Sequence, residues 1–238
     1  MIVLTILLLL AAAYCYGFYF IGLSNWFYFL WVPVSLILSF LSYVLFIWIL
    51  FIYMKRSNPK GKFRHFLLHQ TCFMMIFFCN IKVKVVGKEF VPKEPYVCYS
   101  NHKSNIDPII LYYAMHRICS AVGKKSLFRY PVVKQIKPVF GVVPLDREND
   151  REAAKSMIEA IRSVKNGLSM MIFPEGGIKS RDTEEMVNLR AGAYKLVTKS
   201  EALLLPATII GSSQTKKRKT IFKRVKVTVV FHKPLTYE

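Results

Sequence analysis

The chain reads as an α/β domain carried behind an uncharged helical hairpin, and three observations lead there. Residues Met1 to Met54 hold no Asp, Glu, Lys, Arg or His, whereas all 34 basic and 14 acidic residues lie in the rest of the 238-residue chain. Behind that boundary, short apolar runs alternate with helix-period segments, the order expected of a sheet whose strands are joined by helices. Chemically able side chains gather just after the predicted strands, where sheets of this kind place their ligand crevice.

The uncharged stretch is long enough for two helices of about 20 residues each. Gly22-Leu23-Ser24-Asn25 are its most turn-like residues, with Pro33 and the aromatics Trp26, Phe27, Tyr28 and Trp31 beside them. A hairpin that crosses the bilayer twice and one that dips into a single leaflet both fit. A cleaved secretory signal over Met1 to Cys15 is the less favoured alternative, because no Lys or Arg precedes the first apolar run and a second apolar run follows it. Lys55, Arg56, Lys60, Lys62 and Arg64 come directly after, a basic flank that points to the cytoplasmic side of a cell membrane.

Residues 55–80 form a basic linker and an apolar helix, Phe63 to Asn80, and residues 81–238 the α/β domain. Ile81 to Val85 alternates as a half-buried strand, and Tyr96 to Tyr99 is a short buried one. A helix opens at Asp107-Pro108, with Asp107 as N-cap and Pro108 as first residue, and runs to Met115. An apolar run, Ile118 to Val122, precedes a helical stretch broken by Pro131 and Pro138. Asp150 to Lys165 has helical period, an acidic start and an Asn-Gly stop. Met170 to Phe173 is a buried strand, Leu189 to Ser200 a helix, Ala202 to Ile210 a strand containing Pro206, and Val225 to Phe231 the last strand.

The formal charge of +20 calls for an anionic partner, and the hairpin favours anionic lipid headgroups over nucleic acid. Five cysteines with no C-x-x-C spacing indicate neither a disulfide framework nor a zinc site. No dinucleotide-type glycine loop stands out, so no cofactor and no metal are expected.

Asn101-His102-Lys103-Ser104-Asn105-Ile106-Asp107-Pro108 carries the sharpest chemistry. An imidazole can take a proton from an alcohol, and a carboxylate beside it fixes its tautomer and stabilises the imidazolium. Five residues put the two side chains on different faces of a helix, so His102 and Asp107 meet only across a bent loop. The bland alternative is that Asp107 is a helix cap and nothing more.

Four blocks in order resemble the lysophosphatidic acid acyltransferase family, the 1-acylglycerol-3-phosphate O-acyltransferases and related glycerolipid acyltransferases. They are Asn101 to Pro108, an Asn-His-x4-Asp block; Gly141 to Arg147, ending in Asp-Arg; Phe173-Pro174-Glu175-Gly176; and Leu205-Pro206-Ala207. The resemblance implies a mixed sheet flanked by helices, and acyl transfer from an acyl carrier protein or coenzyme A thioester to a lysophosphatidic acid hydroxyl. His102 would be the general base and Asp107 its orienter, with Asn101 beside them. Arg147 suits bidentate grip of phosphate, and Lys124 is similar to a family lysine of the same pocket. Glu175 would bind glycerol hydroxyls or orient a cation, while Gly176 and Gly177 let the backbone come close. The family follows Pro-Glu-Gly with Thr-Arg-Ser, and this chain has Ile178 at the arginine position, so Lys179 or Arg181 takes its place.

Two rivals stand beside this reading. One is the same chemistry on glycerol 3-phosphate or another lysophospholipid. The other is a membrane-tethered nucleic-acid binder using Lys216 to Lys219, which is disfavoured because the aromatics concentrate in the hairpin rather than among the basic clusters.

Overall fold

The computed structural model describes residues 2–21, 28–54, 58, 60–220 and 223–237. The expected turn at Gly22 to Asn25, the aromatics Trp26 and Phe27, and the flanking Lys55 and Arg56 lie outside the described residues. The chain divides into two compact units, Met1–Arg56 and Ser57–Glu238.

The first unit is two helices, α1 (Ile2–Phe20) and α2 (Tyr28–Met54). They pack antiparallel, since Phe18 meets Trp31, Cys15 Sγ donates to Ser35 Oγ at 3.1 Å and the Tyr14 and Ser42 hydroxyls sit 2.7 Å apart. Ser35 and Ser39 are buried in that seam, the small polar residues that let helices approach closely in lipid. Leu30–Leu50 is apolar and long enough to cross a membrane. Leu36, Ile37, Leu45 and Trp48 are exposed along it, as a face directed at lipid would be.

The second unit is a seven-stranded sheet in the order β1-β7-β6-β2-β5-β3-β4. Its strands are β1 (Ile81–Val86), β2 (Tyr96–Ser100), β3 (Cys119–Lys124), β4 (Val143–Leu145), β5 (Ser169–Ile172), β6 (Leu203–Ile210) and β7 (Val225–Phe231). All neighbours pair parallel except β6 with β7, so the sheet is mixed. Pro206 fits inside β6 opposite Tyr99 of β2.

Helices α3 (Lys62–Phe78), α4 (Asp107–Met115), α5 (Pro131–Phe140), α6 (Asp150–Lys165), α7 (Ala191–Ser200) and the short α8 (Gln214–Lys217) complete the unit. Alternation along β2 sets the two layers. Val97 and Tyr99 join Ala160 and Val164 of α6 and Leu196 and Val197 of α7 in one core, and the Tyr99 hydroxyl donates to the Ala193 carbonyl at 2.6 Å. Tyr96 points the other way, its hydroxyl 3.3 Å from Met115 Sδ, and α3 packs on α4 there.

Two expectations are corrected. Pro131 starts α5 rather than breaking it, where a missing N–H costs nothing, and Pro138 lies in the helix two residues before its end, so little helix remains for it to disrupt. Arg64 does not join a basic flank facing solvent: it is 4% exposed and donates to the Pro138 carbonyl at 2.7 Å. Of the basic run at 216–219, Arg218 is likewise engaged, donating to the Cys79 carbonyl at 2.5 Å.

Candidate active site

The parallel strands β6, β2, β5, β3 and β4 all end at the same edge of the sheet, and the loops there build one cleft. Ser100 closes β2, Asn101 and His102 follow, and Asp107 begins α4. Ile106, in helical conformation, is the N-cap, so Asp107 is not the cap that its pairing with Pro108 suggested. Its carboxylate turns back instead. Oδ2 accepts the backbone N–H groups of Lys103 and Ser104, both at 2.7 Å, and the Nδ1–H of His102 at 3.1 Å. Those bonds fold residues 102–106 into the bent loop that lets imidazole and carboxylate meet.

Asp107 is fully buried and the His102 side chain is 17% exposed, so the charge lies behind the ring and the ring faces the cleft. A carboxylate on Nδ1 holds the proton there and leaves Nε2 to accept one. Phe173, just past β5, stacks on the imidazole with ring centroids 4.3 Å apart and an interplanar angle of 23°. The second carboxylate oxygen of Asp107, Oδ1, is buried with no hydrogen-bond partner among the described residues.

Glu175 does not line the cleft. It is 0% exposed, and its oxygens are taken by protein groups: Oε1 by the His102 N–H at 2.9 Å, Oε2 by Lys103 Nζ at 3.4 Å and the Val187 N–H at 3.3 Å. Direct contact with glycerol hydroxyls is therefore corrected, since no free oxygen reaches the cleft. Lys103, equally buried, also donates to the Glu185 carbonyl at 2.5 Å. The pair ties the loop carrying the imidazole to the loop after β5. Asn101 is a second tie rather than a substrate contact: Nδ2 donates to the carbonyls of Glu184 and Ile209, and Oδ1 accepts the Ile209 N–H.

The cleft itself encloses about 1470 Å³. His102, Lys124, Arg147, Gly176, Gly177, Ile178 and Arg181 line it, while Lys179 is exposed outside it. Arg147 donates to the Gly176 carbonyl, and burial followed by the charge of Arg190 pushes its pKa down from the ordinary guanidinium value. Gly176 has φ +69°, a left-handed conformation, and a Cβ there would overlap the Arg190 guanidinium. Much of the remaining wall is apolar, with Val122, Phe128, Leu145, Met157, Ile161 and Ile172, and it also carries Asp146, Asp150, Arg162, Lys195 and Lys199.

Three features had no signal that sequence reasoning could use. Phe173 was placed in a strand, with nothing to say that its ring would lie on His102. Lys103 and Glu175 are separated by 72 positions, so their pairing is invisible locally. Arg190 stands just before α7, one basic residue among 34.

A buried carboxylate behind a cleft-facing imidazole, beside basic side chains at the carboxyl edge of a largely parallel sheet, is the arrangement of a class of sites that can activate a hydroxyl for group transfer. The sequence narrows the class: the chain belongs to the Acyltransferase family, whose model matches residues 82–210. It is 31% identical over 150 residues to the 1-acyl-sn-glycerol-3-phosphate acyltransferase of Borreliella burgdorferi, covering 62% of this chain and 59% of that protein. It is 29% identical over 171 residues to the enzyme of the same name from Saccharomyces cerevisiae, covering 70% of this chain and 56% of that one. The chain thus spans less than two thirds of the length of these two relatives. The crystal structure of the 1-acyl-sn-glycerophosphate acyltransferase PlsC from Thermotoga maritima superimposes with a TM-score of 0.67 at 21% identity, covering 81% of this chain and 78% of that one. That likeness establishes the mixed sheet flanked by helices as a shared fold.

Proposed function

We propose that the protein moves a fatty acyl group from an acyl carrier protein or coenzyme A thioester to the free hydroxyl of 1-acylglycerol 3-phosphate, giving phosphatidic acid. The observation that carries the proposal is the 3.1 Å contact of His102 Nδ1 with buried Asp107 on the wall of a cleft shared with Arg147. His102 Nε2 takes the hydroxyl proton as the oxygen attacks the thioester carbonyl. Asp107 stabilises the imidazolium, and the arrangement is Ser-His-Asp chemistry with the substrate alcohol in place of serine. When the tetrahedral intermediate collapses, the C–S bond breaks and the imidazolium returns the proton to the departing thiolate, so products are an ester and a thiol and no acyl-enzyme forms.

Arg147 and Lys124 supply positive charge for the phosphate of the acceptor. The apolar wall takes acyl chain; at about 1470 Å³ the cleft exceeds the roughly 300–1,000 Å³ typical of small-ligand sites, as a lipid with a long tail requires. Membrane attachment through α1 and α2, with the catalytic unit on the cytoplasmic side, would bring that cleft to its lipid substrate, and the basic residues that follow Met54 in the sequence support this sidedness. The test is acyl transfer in detergent or vesicles to a panel of acceptors. Turnover of 1-acylglycerol 3-phosphate well above glycerol 3-phosphate and lysophosphatidylcholine is expected, and preference for either of the others would overturn the acceptor assignment.

A further inference from the structure

Ile178 presents an apolar side chain to the cleft where the motif order anticipates an arginine, and Lys179 is turned out of it. We propose that Arg190, from the residue before α7, supplies the guanidinium that Ile178 cannot, so that Arg147, Arg181 and Arg190 together seat the phosphomonoester of the acceptor. This rests on the proposed acceptor and adds a residue that fixes specificity for it.

All three arginines line the same cleft as His102. Arg147 and Arg190 pack over adjacent glycines: the Arg190 guanidinium fills the space a Cβ on Gly176 would need, and Arg147 Nη1 stands 3.2 Å from where a Cβ on Gly177 would lie. The backbone N–H of Arg190 donates to the Pro174 carbonyl at 2.9 Å, which pins the start of α7 to the loop that follows β5. The two cations are therefore held together by the fold.

Guanidiniums gathered for structural reasons take carboxylate partners. Among the described residues, no ion pair or side-chain bond to a carboxylate involves Arg147, Arg181 or Arg190. Of the acidic residues nearby, Asp182 pairs with Lys217 at 3.2 Å, and Asp146, on the cleft wall with Asp150, pairs with Lys125 at 3.0 Å; Glu184 accepts the Gly211 N–H at 2.8 Å through one oxygen, and its other oxygen is buried without a bond to any of the three arginines among the described residues. Meanwhile Arg147 Nε and Arg181 Nε are buried without an acceptor among the described residues. Like charges brought together with buried donors unfilled fit a dianion with three peripheral oxygens, the chemistry of a phosphomonoester.

The experiment is equilibrium binding to the full-length protein in detergent, which needs no turnover. Two probes are compared, 1-acylglycerol 3-phosphate and the phosphate-free 1-acylglycerol. Wild type is expected to bind the phosphorylated lipid much more tightly. Arg190→Ala should weaken that binding by about tenfold to a hundredfold while changing the phosphate-free lipid less than about twofold, the loss expected of one charge-assisted, bidentate contact. Ile178→Arg in the Arg190→Ala background should recover at least about tenfold, since it restores a guanidinium to the same wall. Arg190→Gln, closer in shape, serves if Arg190→Ala does not fold. Arg190 variants that keep the full preference for phosphate, or that weaken both lipids equally, would overturn the role of Arg190 alone. A wild-type protein indifferent to the phosphate would overturn the acceptor assignment and this inference with it.

Discussion

Glu175→Gln isolates what the buried ion pair contributes. Glu175 and Lys103 are both 0% exposed, 3.4 Å apart, and Lys103 has one other bond, to the Glu185 carbonyl. The amide can still accept the His102 N–H through its oxygen, but its NH₂ then faces Lys103 and the Val187 N–H, two donors with nothing to receive them. Leaving one ion of a buried pair uncompensated costs about 3–5 kcal/mol. The Val187 N–H adds about 1 kcal/mol. A loss near 5 kcal/mol is expected, most of which Glu175→Gln with Lys103→Met should recover because the second change removes the stranded charge. All three tryptophans lie in residues 26–48, so unfolding of the second unit is followed by far-UV circular dichroism in urea. A loss under about 1 kcal/mol for Glu175→Gln, or a double variant no more stable than the single, would refute the reasoning.

Three further expectations follow from the same geometry. Asp107→Asn keeps an acceptor for Lys103 and Ser104 but not the charge behind His102, so kcat should fall about 10³-fold with KM nearly unchanged in a steady-state transfer assay; a fall under tenfold would remove the base–orienter assignment. Ala153→Phe places a ring on the cleft wall at the start of α6 and should cut use of long-chain thioesters about tenfold more than short-chain ones, read by varying donor length. His69 packs edge-on against His116 at 4.1 Å and over Tyr113, and burial followed by the charges of His116 and His65 pushes its pKa down to about 4. The unfolded chain therefore binds a proton between about pH 6.5 and 4 that the folded chain does not. This contribution is fully present above pH 6.5 and is lost as pH falls to 4. Discounted for the partial exposure of the ring, His69→Phe should reduce the stability lost between pH 7 and pH 5 by on the order of 1 kcal/mol in urea melts, and an unchanged loss would exclude His69 as its source.

What was legible in the sequence was local. Helix α6 and strand β7 carry their own periodicity and stops, and the structure ends them at the expected residues, Asp150 to Lys165 and Val225 to Phe231. The meeting of His102 with Asp107 followed from a five-residue spacing that only a loop can close. The direction of the Asp107 carboxylate did not, because a helix-opening Asp-Pro looks the same whether the side chain bonds forward as a cap or backward into the loop. Pairing between distant segments left no trace either. The antiparallel β6–β7 pair inside an otherwise parallel sheet, Lys103 against Glu175 and the Asn101 bracket to β6 all depend on the tertiary fold. Glu175 shows the general difficulty: the motif gives a residue type and an address at the end of β5, and both a cleft ligand and a buried tether satisfy them. Arg190 belongs to no local pattern, and only the packing of α7 against the Pro174 loop brings it beside Arg147.

The most direct measurement is transfer of a labelled acyl group from a thioester to 1-acylglycerol 3-phosphate by the intact protein and by His102→Ala, side by side in vesicles with equal protein. Phosphatidic acid formed by the intact protein and reduced at least about 10³-fold in the variant is the result expected of a general base whose removal leaves only binding and electrostatics. Equal product from both would show that the proton leaves the hydroxyl by another route, and would contradict His102 as the base and Asp107 as its orienter.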